Sequence, residues 1–103
     1  MGSGQVSRLG DTLATVHGCD TTTVLDFPGQ AKVFANGKPM ARCGDPTVTH
    51  LIPCPCPPCC CPHIAYLCDC STNVIVVGIG QSRLGDCCDA GEMIQGSPDV
   101  YVN

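Results

Sequence analysis

The chain has 103 residues and a formal net charge of −4, with five Lys/Arg standing singly, which excludes the basic stripe that tracks nucleic-acid phosphates. A domain of this length buries roughly 60–65% of its surface, and with no Trp, two Phe and two Tyr a large aromatic core is excluded. Twelve Gly and nine Pro exclude long helices, and no apolar run approaches the roughly 20 residues of a membrane span.

The first residues, Met1-Gly2-Ser3-Gly4-Gln5, lack both a basic and an apolar stretch, so no signal peptide is expected and synthesis is expected in the cytoplasm. In that compartment eleven cysteines favour metal ligation over disulfides. Ser7-Arg8-Leu9-Gly10-Asp11 then gives the first of three Arg-x-Gly-Asp tetrads, followed by Arg42-Cys43-Gly44-Asp45 and Arg83-Leu84-Gly85-Asp86. A β-rich run precedes the second tetrad at Val33-Phe34-Ala35 and the third at Val74-Ile75-Val76-Val77. Val33 lies eleven positions before Gly44, and Val74 lies eleven before Gly85. A third such run, Val100-Tyr101-Val102-Asn103, closes the chain where another tetrad would begin. Three units in one chain, cut so that the ends complement each other, is the reading.

Asn36-Gly37 after the first β-rich run is a hairpin signal, since both positions tolerate φ > 0. Gly78-x-Gly80 is expected to supply the same freedom in the next unit. The fold class is therefore mainly β, with short strands of about four to six residues and tight turns. Each tetrad Asp is expected to cap backbone N–H groups in a turn, with each Arg bracing a neighbouring loop.

The spacers carry the chemistry. His17 lies six residues after Asp11 and His50 five after Asp45, while Cys87 and Cys88 stand at the matching place after Asp86. His63 ends the tract Cys54-Pro55-Cys56-Pro57-Pro58-Cys59-Cys60-Cys61-Pro62-His63. Four N/S ligands suit a structural metal, and loops from three units converging at one end make a metal-pinned apex. Proline bars the tract from being a helix or a central strand, so an ordered loop held by its side chains is expected. Cys54, Cys56, Cys59, Cys60, Cys61, Cys68 and Cys70 form a candidate second metal site, an iron–sulfur cluster or a disulfide lattice. Thiolates suit zinc or iron, and Cys56-x-x-Cys59 spacing allows two ligands on one ion; vicinal pairs seldom bond to each other without strain. No Ser/His/Asp arrangement or phosphate-cradling loop is apparent, so no enzyme is expected. Instead, one chain of three similar units suits a threefold partner, with Val33, Phe34, Val74, Ile75, Val100 and Tyr101 joining its sheet by strand addition.

The run from Phe34 to Pro46, with Pro39-Met40-Ala41-Arg42 at its centre, resembles the signature of the PAAR-repeat proteins. Gly96-Ser97-Pro98-Asp99-Val100 is similar to that family's Gly-Ser-Pro-x-Val lead into a strand. Met40 departs from the family's first alanine, and the Cys/Pro-rich insertion at about residues 53–70 is foreign to it. The resemblance implies a single domain over 1–103, a small cone with pseudo-threefold symmetry stapled by metal at its vertex. It implies zinc held by His17, His50, His63 and Cys88, with Cys87 as the substitute. It also implies a function, that of the membrane-piercing tip of a phage tail baseplate or type VI secretion system. One copy would cap a trimeric spike, VgrG-like or phage-derived, and would meet the target membrane transiently. The molecule would then reside at a virion tail tip or injection-machine tip. The alternative is a Cys-rich metal-binding or iron–sulfur protein with a redox or metal-storage role.

Overall fold

The computed structural model describes residues 4–55 and 59–102. The strands are β1 (Gly4–Gln5), β2 (Thr12–Ala14), β3 (Thr22–Val24), β4 (Phe34–Ala35), β5 (Lys38–Pro39), β6 (His50–Pro53), β7 (Cys60–His63), β8 (Ile75–Val76), β9 (Ile79–Gly80), β10 (Cys87–Cys88), β11 (Gly91–Met93) and β12 (Tyr101–Val102). The architecture is mainly β, with no helix among the described residues. Strands of two to four residues are shorter than expected, because Gly and Pro punctuate the chain so closely.

Each tetrad closes the same turn. Gly10, Gly44 and Gly85 take left-handed φ of 83°, 85° and 88°, where any Cβ is penalised. The Asp carboxylate caps the turn as expected: Oδ2 of Asp11, Asp45 and Asp86 accepts the N–H of Arg8, Arg42 and Arg83 at 2.8 Å in each case. Two of the arginines also brace a neighbouring unit, Arg8 donating to Asn36 Oδ1 at 3.0 Å and Arg42 to the Val77 carbonyl at 3.0 Å. Arg83 is held by its own Asp86, Nη2 to Oδ1 at 3.0 Å.

The units join in a closed cycle. Ala41 N–H donates to the Ser7 carbonyl, Ser82 N–H to Ala41, and Ser7 N–H back to Ser82, at 2.9, 3.0 and 3.0 Å. The side chain of Gln81 lies over this cycle, its Nε2 donating to Ala41 O and Ser82 O at 2.8 and 2.7 Å. Ahead of two tetrads stand the hairpins β4–β5 and β8–β9. Ahead of the remaining tetrad the equivalent pair is β1 with β12, Gln5 opposite Tyr101 and Gly4 opposite Val102. The two ends of the chain thus supply the two halves of one unit.

The β4–β5 turn is Asn36-Gly37, at φ 55° and 78°. In β8–β9 the pairing of Val76 with Ile79 makes Val77-Gly78 the turn, one residue earlier than expected. Val77 is left-handed at φ 48°, a costly conformation for a β-branched side chain.

Two apolar clusters fill the interior. Val6, Ala35, Met40 and Val76, with Val100 and Val102 against them, lie under the hairpins. Leu13, Leu25, Ala41, Ala65, Leu67, Cys88 and Met93 form the other. Both are small, and covalent links add to them. Disulfides join Cys19–Cys60, Cys43–Cys70, Cys54–Cys61 and Cys68–Cys87. Closing the 41-residue separation of Cys19 and Cys60 is worth about 4 kcal/mol in the chain-entropy account.

These bonds decide between the alternatives for the Cys/Pro tract and correct the expectation of a loop. Its sulfurs form disulfides, the lattice reading, rather than a metal or iron–sulfur cluster, Cys59 included; Cys56 lies outside the described residues. Cys60 and Cys61 are neighbours in β7 and so point to opposite faces, each to a different partner, so they do not converge on one ion. Nor is the tract purely a loop. Its second half is β7, paired antiparallel with β6 from His50↔His63 to Pro53↔Cys60. Both strands of a two-stranded ribbon are edges, where proline is tolerated.

Candidate metal centre

Three segments meet around Asp89. In the four-stranded sheet of order β10-β11-β2-β3, Ala14 pairs with Glu92 and Cys88 with Gly91. The loop after β2 and the turn after β10 therefore leave the sheet at the same end. His17 sits in that loop and Asp89 in that turn, at φ 57°. The third segment is the β6–β7 ribbon, where His50 and His63 face each other in register. Asp20 binds the loop to β6, its N–H donating to the Leu51 carbonyl and its carboxylate accepting the Leu51 N–H at 2.8 Å.

Within this cluster every imidazole turns Nε2 toward Asp89. His50 Nε2 lies 2.7 Å and His17 Nε2 2.9 Å from Asp89 Oδ2, and His63 Nε2 lies 3.5 Å from Oδ1. The His17 and His50 rings are parallel at 5.5 Å between centroids, and His63 stands edge-on to both. His50 and Asp89 are nearly covered, whereas the His63 side chain keeps 31% of its surface.

Behind the cluster, Nδ1 of His17 faces the Gly18 carbonyl at 2.9 Å, and Nδ1 of His50 faces the Val48 carbonyl at 3.0 Å. A carbonyl at Nδ1 fixes the proton there and leaves the Nε2 lone pair for a ligand bond. The donor atoms of His17, His50, His63 and Asp89 all lie within 4.8 Å of one another. Bonds of about 2.0–2.1 Å put ligands about 3.4 Å apart in a tetrahedron, so an ion would lengthen the Asp89 contacts of His50 and His17, now 2.7 and 2.9 Å, and shorten the longest separations. Three imidazoles and a carboxylate suit a first-row divalent ion, and the set is a candidate metal site.

The electrostatics describe the same site holding protons. Burial opposes charge on Asp89, but hydrogen bonds from His50 and His17 outweigh it and hold the carboxyl below its usual range. Burial likewise opposes charge on His17, yet the Gly18 carbonyl and Asp89 raise its pKa. Without metal the carboxylate is matched by imidazolium; with metal, by the ion.

The three histidines singled out in the sequence are thus brought together, and the sulfur assigned beside them is not. Cys88 is wholly buried in the apolar cluster with Leu13 and Leu67, its thiol pushed up to about 11 by burial and by the Asp89 charge. Cys87 is bonded to Cys68. Along β10 successive side chains alternate: Cys88 faces inward, and the turn residue after it reaches the histidines. Asp89 went unnoticed because an Asp before Ala90-Gly91 reads as ordinary turn chemistry.

At the hairpins, Phe34, Ile75 and Tyr101 occupy equivalent strand positions and are 51%, 56% and 51% exposed. Val33 is exposed beside them, and Val74 and Val100 are half-buried. Compared with protein-family models and with curated proteins, the chain matches none.

Proposed function

We propose that the chain is a structural, non-catalytic tip that caps a trimeric β-helical spike, as the resemblance to PAAR-repeat proteins implies, with zinc at its apex. The observation that carries this reading is the closed cycle of Ser7, Ala41 and Ser82, which sets three tetrads and three strand pairs in one ring. A ring of three suits one copy on a threefold partner. Phe34, Ile75 and Tyr101 repeat an exposed apolar residue once per unit, as a docking face requires. The hairpins pack on one core cluster and the strands leading to the histidines on the other. Three imidazoles and a carboxylate fill all four positions of tetrahedral zinc, which marks a structural rather than a catalytic ion. The alternative of thiolate metal storage loses its donors, because the described sulfurs of the Cys/Pro tract are oxidised.

The test is native mass spectrometry of the chain mixed with the trimeric spike protein of its own injection machine. One copy per trimer is expected, abolished by the triple change Phe34→Asp, Ile75→Asp and Tyr101→Asp. Three copies per trimer, or unaltered binding by the triple variant, contradicts the reading.

A further inference from the structure

We propose that the Cys19–Cys60 disulfide is the positioning clamp of the metal site, so that metal affinity and the redox state of this one bond are linked. The inference rests on the metal-site reading above. Cys19 is two residues from His17, and Cys60 is three from His63; the bond joins the two segments that carry these ligands.

The loop bearing His17 is the less firmly held of the two, since β7 is also tied to the chain after β6 by Cys54–Cys61. The loop bearing His17 contains Val16 and Cys19 at left-handed φ of 61° and 66°, conformations that persist only under outside restraint. Hydrogen bonds from Asp20 tie the loop to Leu51 in β6. The link to β7, where His63 sits, is the disulfide. His63 is also the most exposed of the four ligands and has the longest contact, 3.5 Å to Asp89. It is the ligand with the most freedom to move when β7 is uncoupled from the His17 loop.

Reduction by a dithiol gives Cys19 and Cys60 as thiols and the reductant as its disulfide, with two electrons and two protons passing to the protein. The loop freed from β7 must then be ordered by the ion itself, which lowers affinity. Linkage makes the effect reciprocal: bound metal protects the bond by the factor by which the bond favours metal.

The experiment uses the wild-type oxidised chain with and without zinc. A water-soluble phosphine replaces dithiols, which chelate zinc; it becomes the phosphine oxide by taking oxygen from water while each sulfur gains a proton. Alkylation and peptide mass spectrometry follow each bond in time. Zinc is expected to slow opening of Cys19–Cys60 about tenfold, because the bound ion suppresses the local opening through which the phosphine reaches the bond, and to leave Cys43–Cys70 unchanged. The latter is a fitting control because Cys70 lies against Gly80 in β9, and the β8–β9 hairpin carries no ligand. Equal rates for Cys19–Cys60 in chain shown by calorimetry to hold zinc overturn the linkage and leave the metal site standing. Failure of the oxidised chain to bind zinc overturns the metal site itself. In a second arm, Cys19→Ser/Cys60→Ser is expected to bind zinc about tenfold more weakly than Cys43→Ser/Cys70→Ser; equal affinity of the two folded variants again overturns the linkage.

Discussion

Asp89 presents one oxygen to both His17 and His50, so changes at this residue read the centre directly. Asp89→Asn removes the negative charge and is expected to weaken zinc binding at least about tenfold, whereas Asp89→Cys supplies a thiolate and retains it. Cys88→Ser is expected to leave zinc affinity unchanged while costing about 1–3 kcal/mol of stability, since a hydroxyl in that apolar cluster lacks a partner. Zinc competition titrations and thermal melts separate these outcomes; loss of zinc in Cys88→Ser alone would restore the sulfur as ligand. The pH dependence has opposite signs in the two forms. The raised pKa of His17 stabilises the metal-free chain below about pH 6.5, an effect lost as pH rises through the folded value. The lowered pKa of Asp89 stabilises it above about pH 4, an effect lost on further acidification. Zinc binding must displace protons and strengthens with rising pH, so the zinc-induced rise in Tm is expected to grow from pH 5 to pH 7.5; a pH-independent rise contradicts imidazole ligation. The histidines were legible in the sequence because His is rare in this chain and two of them stand in register. Asp89 was not, because its side-chain direction depends on which face of β10 packs inward, a tertiary matter.

Turns and ribbons carry the element scale. Asn36-Gly37 and Val77-Gly78 occupy the same place in their hairpins, both left-handed, yet Val carries a cost of roughly 1–2 kcal/mol there. Val77→Asn, copying the other unit, is expected to stabilise by about 1 kcal/mol and raise Tm by about 4–8 °C. The bond from the Arg42 guanidinium to the Val77 carbonyl survives the change, because it uses only the backbone of residue 77. A melting curve shifted downward would show that the exposed Val77 side chain contributes more than the strain it imposes. The tetrad turns were foreseeable, since Gly and Asp each have a local reason to be there. The Cys/Pro tract was less so. Proline rules out helix and central strand but permits an exposed ribbon, and sulfur pairing follows from which loops meet in space rather than from spacing.

At the scale of the whole molecule, the pairing of β1 with β12 brings segments far apart in sequence into one strand pair of the ring. Deleting residues 100–103 is expected to remove one strand pair and to uncover the apolar cluster around Val6 and Met40, with loss of cooperative unfolding by circular dichroism. An unchanged melt would make that closure incidental. Repeat spacing made the ring legible, because eleven-position intervals recur regardless of what the spacers do. What spacing did not reveal is how the spacers end, since their lengths of 22, 29 and 14 positions set no common register at the far end. There the loop after β2, the β6–β7 ribbon and the turn after β10 converge, and a single ion would tie all three. The most direct test is elemental analysis of the purified oxidised chain together with its melting temperature before and after chelation. One zinc per chain, a large fall in Tm on its removal, and neither property in folded His50→Ala are the results expected. A folded wild-type chain that holds no metal, and whose Tm does not respond to added zinc, would contradict the account.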